Sequence, residues 1–290
     1  MLNKSKPSRF ERIKHLLACP KCHTGLVFED ECAVCVGCKL TYPIRNEKIY
    51  FTHIDESMDD AFDRVKYRMK KVFGNLYYKI GVGIVAPTFP FNYLREIKKH
   101  VHPEDKVVVD IGCGAYRMDS DLICIDIFDY ESVDIVCDIM ELPFKDGTVD
   151  AFVSRSVLEH VRDPKSIINE VKRCTRSGGI SAHLIPFMMP FHASPYDFQR
   201  YTHKGALELF SGWECVEQFA PFGPFTLLLQ SFIEVVSSIL SFGNEQFKTY
   251  LYLGLCLILF PVKFLDWPFV RRKCLIGIAP SIFTVVRKTI

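Results

Sequence analysis

The chain has 290 residues, which is enough for one domain of ordinary size with additional segments. Its 36 Lys and Arg nearly balance its 34 Asp and Glu, so no basic excess points to nucleic acid as a partner. Hydrophobic residues make up 49% of the chain and the mean hydropathy is +0.11, which is high for a soluble enzyme. The apolar excess lies towards the C-terminal end, which indicates membrane contact rather than a large core.

The twelve cysteines predict a reduced, cytosolic protein with one metal site. The N-terminal segment has no apolar signal-peptide core. Four cysteines form two C-x-x-C pairs, Cys19 with Cys22 and Cys35 with Cys38, separated by twelve residues. This spacing is typical of a tetrahedral zinc site, and four thiolates leave no open position, so the zinc would be structural. Four ordinary thiols are the alternative, and Cys32 is predicted not to bind the metal.

Three short apolar runs in the middle of the chain end in acids. The first leads into Asp110, followed by Gly112 and Gly114, which predicts a buried strand and a turn where glycine lets the backbone approach a ligand. The next two end in Asp126 and Asp138. Because ligands of open α/β sheets bind at the carboxyl edge of the strands, we expect the three acids to share one site.

The connections between these strands are too short for ordinary crossovers. Only residues 128–133 separate the second and third strands, whereas a parallel crossover normally needs about a dozen residues or more. Tyr116 also stands where a third glycine of a dinucleotide-binding turn would fall. The first two crossover helices are therefore predicted to be missing or reduced to a turn.

The fourth strand is AFVS, which Asp150 opens, and a helix and three more strands are predicted after it. The helix begins at Asp163 as N-cap with Pro164 at its first position, and Gly178-Gly179 end it. The strands are GISAHLIPF, ECVEQFAPFGPF and IAPSIFTVVRK.

Two apolar runs separated by a polar break lie before the last strand, and neither is a clean membrane span of about 20 residues. We predict a helical hairpin that inserts shallowly into the membrane, with Trp267 and the cations at 271–273 in the interface. A pair of spanning helices is also compatible with the pattern. The alternative without membrane contact is a buried helical pair that forms a dimer or covers the active site.

Several of these motifs resemble a known family. Asp110-Ile-Gly-Cys-Gly114 and LPFKDGTVDAFVSRSVLEHV resemble class I S-adenosylmethionine-dependent methyltransferases with a type-11-like domain. CPKC, CVGC and YPIRNEKIYF resemble zinc-ribbon modules that are similar to small methyltransferase-activating proteins. HxxPYDFxRYT resembles a block in a bacterial branch that occurs alongside surface-polysaccharide enzymes. The resemblance implies an α/β, Rossmann-like sheet with abbreviated first crossovers and an antiparallel last strand.

Four segments follow from these assignments. They are a zinc ribbon with a basic arm (1–54), a helical linker (55–100), the methyltransferase domain (101–221 and 275–290) and the apolar helical insert (222–274). The linker is interpreted as a solvated helix packed on the sheet, with a membrane-surface or substrate role as the alternative.

The resemblance also implies the cofactor-binding residues. The glycine turn would admit the methionine part of S-adenosylmethionine, an acid after the second strand would bind ribose, and an acid after the third would meet adenine. The residues concerned are Asp110, Gly112, Gly114, Asp126, Ile127, Asp138, Ile139, Ser154 and Arg155.

The acceptor side is assigned to the loop after the fifth strand. Candidate bases are His192, Asp197 and the more distant His160, and candidate substrate-binding residues are Tyr196, Arg200 and Tyr201. Alternatively, Asp197 and Arg200 form a structural pair, the tyrosines pack, and His160 satisfies a helix end. His183 is interpreted as a core histidine.

These features predict an S-adenosylmethionine-dependent methyltransferase at the cytosolic membrane face, peripheral or monotopic. It would methylate a hydroxyl, or less readily an amine, of a lipid or lipid-linked glycan. An adaptor that uses the zinc ribbon to bind a partner is the rival interpretation. A protein or nucleic-acid methyltransferase is a third, disfavoured for bases because no Asn-Pro-Pro-Tyr type motif follows the fourth strand. The sequence leaves the oligomeric state open.

Overall fold

The computed structural model describes residues 8–52, 81, 83–191 and 196–289. Its strands are β1 Leu26–Phe28, β2 Cys32–Cys35, β3 Thr41–Arg45, β4 Lys48–Tyr50, β5 Val108–Ile111, β6 Ile123–Asp126, β7 Ile135–Val136, β8 Val149–Arg155, β9 Thr175–Pro186, β10 Trp213–Phe219 and β11 Ser281–Lys288. Its α-helices are α1 Arg9–Ile13, α2 Tyr93–Ile97, α3 Pro164–Cys174, α4 His203–Leu209, α5 Pro224–Leu240 and α6 Glu245–Leu259. Short 3-10 segments occur at Lys14–Leu16, Leu158–His160, Phe260–Asp266 and Lys273–Ile278. Most of the predicted helical linker lies outside the described residues.

The strands form one sheet in the order β1-β2-β3-β4-β7-β6-β5-β8-β9-β11-β10. From β7 to β9 neighbouring strands are parallel, and β11 is antiparallel to both β9 and β10. The predicted α/β fold, with a mostly parallel sheet and an antiparallel last strand, is confirmed. All carboxyl ends of β5, β6, β7, β8 and β9 therefore lie at one edge of the sheet.

The abbreviated crossovers are also confirmed. Residues 112–122 join β5 to β6 and residues 127–134 join β6 to β7, and neither of these fully described connections contains a helix. A part-buried guanidinium holds them together instead. Arg117 donates to both oxygens of Asp134 at 2.8 and 2.9 Å, to the carbonyl of Leu122 at 2.6 Å, and to the carbonyl of Ser132. One side chain thus links both short loops.

Helix α3 begins as predicted but ends earlier. The Asp163 carboxylate accepts from the backbone N–H groups of Lys165 and Ser166, and Pro164 occupies the first turn. The expected end at Gly178-Gly179 is wrong, because α3 stops at Cys174 and β9 follows at once. Gly179 lies inside β9, where a Cβ would fall 2.9 Å from the Asp150 carbonyl, so this glycine permits close strand contact.

The four-cysteine ribbon is part of the main sheet rather than a separate domain. Its strands β1 to β4 are antiparallel, and β4 then pairs in parallel with β7, with Ile49 opposite Ile135. Buried Cys19 and Cys35 belong to the same hydrophobic core as Ile125 and Phe144 of the central domain. The ribbon therefore extends the sheet on the β7 side.

The insert between β10 and β11 forms two helices, α5 and α6, joined by residues 241–244. Its base is fixed by buried polar groups. The Asp266 carboxylate accepts from the N–H groups of Gly223, Phe225 and Thr226 at the start of α5, at 2.8 to 3.0 Å. The buried Lys263 ammonium donates to the carbonyls of Ile84 and Ala86 at 2.6 Å.

Candidate active site and metal centre

The turn after β5 contains two glycines in the left-handed region of backbone conformation. Gly112 and Gly114 have φ values of 63° and 61°, the left-handed region that only glycine adopts readily. A Cβ on Gly112 would fall 2.7 Å from the Val157 side chain, whereas one on Gly114 would meet nothing within 4 Å. The Gly114 carbonyl accepts from the Ser132 hydroxyl at 2.6 Å. The turn thus combines a fixed backbone with open space beside Gly114.

Asp126 ends β6 next to this turn and is 7% exposed. Its carboxylate accepts from the N–H groups of Gly114 at 2.8 Å and Phe128 at 3.0 Å. Burial raises the pKa of Asp126, while these backbone hydrogen bonds and one from half-buried Ile127 oppose the rise. The acid is therefore held rigidly at the sheet edge, where each oxygen retains a further lone pair for a ligand hydroxyl.

Asp110 lies at the end of β5 and is 3% exposed. Burial raises the pKa of its carboxyl to about 7, although the positive charge of Arg155 at the end of β8 opposes this shift. Arg155 is exposed, and it lies on the same face of the sheet as Asp110, because Asp110 is paired with Val153, two residues before Arg155 on β8. Near pH 7 the neutral and the ionised forms of this carboxyl are therefore similar in free energy.

Asp138 follows β7 and is half-exposed, with one oxygen accepting from the Met140 N–H at 2.9 Å. Ile139 is half-buried and packs on the main core. The structure therefore brings Asp110, Asp126 and Asp138 to one sheet edge, together with the glycine turn.

Ser154 does not face this edge. Its side chain is 1% exposed, and its hydroxyl lies 2.7 Å from Nδ1 of His183, whose Nε2 lies 2.6 Å from the Ser181 hydroxyl. Burial lowers the pKa of His183 to about 3, so the ring stays neutral in a buried Ser–His–Ser chain stacked on Phe210. The side chain of Ser154 therefore belongs to the core, and its backbone carbonyl accepts from the buried Tyr93 hydroxyl at 2.7 Å.

The loop after β9 holds its charged residues in a pair. Arg200 donates from two nitrogens to the two oxygens of Asp197, whose side chain is 2% exposed, and also to the carbonyls of Met189 and Pro190 at 3.2 Å. This geometry matches the structural-pair alternative for both residues. The Tyr201 hydroxyl donates to the Gln199 side chain at 2.8 Å.

His160 and Tyr196 meet at the same loop. Nδ1 of His160 lies 2.5 Å from the Tyr196 carbonyl oxygen, and the Tyr196 side chain is 60% exposed. His192 lies outside the described residues. The fully buried Glu159, whose carboxylate lies 3.7 Å from Nε2 of His160, was not anticipated from the sequence. It adjoins His160 in LEHV, and that adjacency is the signal by which it could have been found.

The four cysteines of the ribbon form a compact cluster. Their sulfurs all lie within 4.8 Å of one another, with Cys19 to Cys38 at 3.6 Å and Cys22 to Cys35 at 3.3 Å. Zn–S bonds of about 2.3 Å in a tetrahedron require sulfurs roughly 3.8 Å apart, so the donor set fits zinc. A hydrogen bond from the Thr24 hydroxyl lowers the pKa of Cys22, which favours the thiolate that binds metal.

Residues 109–182 match the family profile described as a methyltransferase domain. The chain contains a methyltransferase domain. It is 35% identical over 95 residues to an uncharacterized protein of Methanocaldococcus jannaschii, covering 29% of this chain and 42% of that protein. It is 52% identical over 40 residues to an uncharacterized methyltransferase of Mycobacterium sp. strain KMS, covering 14% of this chain and 16% of that one. The chain thus spans less than half the length of these curated relatives.

Among solved structures, the chain is similar to an S-adenosylmethionine-dependent methyltransferase of Thermotoga maritima described as a possible histamine N-methyltransferase. The identity is 13%, the TM-score is 0.47, and the match covers 78% of this chain and 99% of that one.

Proposed function

We propose that the protein is an S-adenosylmethionine-dependent methyltransferase that acts on a hydroxyl, or less readily an amine, of a membrane-associated acceptor such as a lipid or lipid-linked glycan. The observation that carries the proposal is a shared sheet edge. The glycine turn, the three acids and the loop after β9 lie at the carboxyl edge, and the apolar insert leaves the sheet and returns to it at that same edge.

The residues at this edge fit the cofactor. S-adenosylmethionine supplies an activated methyl group on a sulfonium. Asp126 would accept the ribose hydroxyls, Asp138 would accept the exocyclic amine of adenine, and Ile139 would pack on the ring. The open side of Gly114 would admit the methionine part, with Arg155 and Asp110 nearby to pair with its carboxylate and ammonium. These groups bind and orient, and positioning is the main contribution such a site needs to make.

The acceptor side is joined directly to the insert. Strand β10 runs parallel to β9, because both are antiparallel to β11, so Phe219 at its end lies at the carboxyl edge. The chain re-enters the sheet at Ser281, opposite Pro186. Just beyond β9, the N–H groups of Phe187 and Met188 donate to the carbonyls of Pro280 and Ala279 at 2.8 and 3.2 Å. The first residues of the proposed acceptor loop are thus hydrogen-bonded to the end of the insert.

The insert carries the surface that supports membrane binding. It exposes large apolar residues along both helices and beyond them: Leu228, Phe232, Val235, Ile239, Phe242, Phe247, Tyr250, Leu257, Ile258, Leu265 and Trp267. Phe242 at the tip is 89% exposed and Trp267 is 78% exposed. Exposed Arg272 and Lys273 follow Trp267 within six residues, a combination of residues that favours an interface with anionic lipid.

A shallow hairpin fits this surface better than a spanning pair. Among the described residues, Glu245–Asp266 alone is long and apolar enough to cross a bilayer by length and composition, and 22% of its most apolar stretch is buried. Its partner Pro224–Leu240 is shorter. Asp266 and Lys263 are fully buried against protein groups, so the base of the hairpin belongs to the domain. We therefore propose a monotopic attachment at the cytosolic membrane face.

Among the described candidates, His160 fits the general base best. A ring nitrogen that bonds to a carbonyl oxygen must carry the proton, so the contact from Nδ1 to Tyr196 places the basic lone pair of the neutral ring on Nε2. Nε2 could accept the proton of an acceptor hydroxyl as the methyl arrives. Asp197 fits this role less well, because Arg200 occupies both of its oxygens.

We also propose that structural zinc fills the four-cysteine cluster. The cluster has the donor chemistry and spacing of a closed tetrahedral site.

The proposed activity is tested with methyl-labelled S-adenosylmethionine, purified full-length protein, and total membrane lipid and lipid-linked glycan fractions. We expect label in the lipid or glycan fraction with the wild type, and its loss with His160→Ala and Asp126→Asn but not with Asp30→Ala, an exposed acid in the ribbon. Label that enters only protein or nucleic acid, or no transfer to any fraction, would refute the proposal.

A further inference from the structure

Two segments that would hold adenosine lack the crossover helices that usually support them. We call residues 127–134, which follow Asp126, the ribose loop, and residues 137–145, which include Asp138, the adenine segment. Both are contacted by the zinc ribbon. The contacts include those of two lysines, one inside a C-x-x-C knuckle and one on the strand that joins the main sheet.

The adenine segment is bound by the first knuckle. Lys21 lies between Cys19 and Cys22, and its ammonium is 2.5 Å from a carboxylate oxygen of Glu141. Glu141 lies three residues after Asp138. Next to this pair, the backbone of residues 16–18 follows the adenine segment, with hydrogen bonds of 2.9 to 3.0 Å to residues 143 and 145. The ribbon therefore holds this segment by main-chain and side-chain contacts together.

The ribose loop is bound by β4. The Lys48 ammonium pairs with the Asp129 carboxylate and donates to the Tyr130 carbonyl at 2.8 Å. The Tyr50 hydroxyl donates to the other oxygen of Asp129 at 2.9 Å. The Lys48 side chain is 15% exposed, whereas that of Lys21 is 56% exposed, so the Lys48 contact is the better shielded from solvent.

We propose that Lys21 and Lys48 are positioning residues for the cofactor, which fix the adenine segment and the ribose loop so that the zinc ribbon sets the cofactor affinity of its own chain. The proposal rests on the proposed function. Loops without crossover helices lose conformational entropy when a ligand orders them, and this loss weakens binding. Contacts that order the loops beforehand reduce that loss and leave the ligand contacts unchanged.

The test measures binding of S-adenosylhomocysteine to full-length Lys21→Met and Lys48→Met by calorimetry. We expect Kd to rise by about 2- to 5-fold in each, the range that ion pairs of this kind reach, with the larger change for Lys48→Met. Lys14→Met is the matched control, because Lys14 pairs only locally, with Glu11 three residues before it. Lys21→Arg and the swap Lys21→Glu with Glu141→Lys should restore wild-type affinity, which a general loss of folding would not allow.

Hydrogen exchange separates positioning from global stability. In the absence of ligand, exchange in the ribose loop and the adenine segment should rise in the matching variant, while exchange in β10 stays at the wild-type rate. If the wild type binds ligand and both variants bind it as tightly as Lys14→Met does, the positioning role is overturned alone. If the wild type binds no ligand at millimolar concentration, the proposed function itself fails.

Discussion

Replacing Arg117 with Met removes the side chain that links the two helix-free crossovers. Its guanidinium is 16% exposed and bonds to Asp134, Leu122 and Ser132. Breaking a buried ion pair typically costs about 3 to 5 kcal/mol. Asp134 keeps a hydrogen bond from the Cys124 N–H at 2.8 Å and the Arg9 contact at 3.0 Å. Because these contacts remain, we expect a loss at or below the lower end of that range, about 2 to 3 kcal/mol of unfolding free energy.

Urea denaturation of the full chain measures this loss, and Arg12→Met is the matched control. Arg12 is as buried as Arg117, but its contact with Asp121 is a single one at 3.4 Å, so its removal should cost about 1 kcal/mol or less. Hydrogen exchange should also rise between residues 112 and 134 in Arg117→Met. An Arg117→Met variant as stable as Arg12→Met would refute the view that the Arg117 guanidinium stabilises the two connections that lack crossover helices.

Three further predictions concern pH, metal and membrane. The pKa of Asp110 is raised to about 7 in the folded protein, so the native state keeps a proton that the unfolded chain releases above about pH 4. The unfolding free energy should therefore fall as pH rises from about 4 to about 7. Denaturation curves of Asp110→Asn should show a smaller dependence on pH over this range. Cys19→Ser should lose zinc by metal analysis whereas Cys32→Ser retains it, and equal zinc content in the two would contradict the assigned cluster. Phe242→Glu with Trp267→Glu should abolish flotation with phosphatidylglycerol vesicles, while Val27→Glu in the ribbon, also at an exposed apolar residue, should float as the wild type does; flotation of the double variant would exclude the hairpin as the attachment.

The sequence predicted the sheet and its acids well, because their signals are local. An apolar run that ends in an acid and two glycines reports a buried strand and its turn without reference to the rest of the chain. Asp110, Asp126 and Asp138 reach one edge because parallel strands must share their carboxyl ends.

Side-chain direction and distant partners were harder to predict. Ser154 follows the alternation of β8 and shares a face with buried Phe152. Only the structure shows that its hydroxyl forms a hydrogen bond with His183 on the neighbouring strand. The pairing of β4 with β7 joins residues about ninety positions apart and leaves no mark in either segment. Arg117 looks like one more surface cation in the sequence, since its role depends on two loops that fold back on it.

The packing of the ribbon on the central domain bears on the rival interpretation of the protein as an adaptor. A zinc module that served only to bind a partner would need a free edge or face. Here β4 is paired with β7, and Cys19 and Cys35 pack into the central core, so these parts of the ribbon serve their own chain, whereas β1 is an edge strand of the sheet.

The most direct test of the account is calorimetric titration of S-adenosylmethionine into the purified full-length protein and into Asp126→Asn. The Gly114 and Phe128 N–H groups donate to different oxygens of Asp126, so the substitution keeps an acceptor for one of them and removes the charge that would bind ribose. The account predicts saturable binding at one site per chain and at least a tenfold weaker Kd in the variant, about 1.4 kcal/mol. No binding by the wild type at millimolar cofactor, or equal binding by the two proteins, would contradict it.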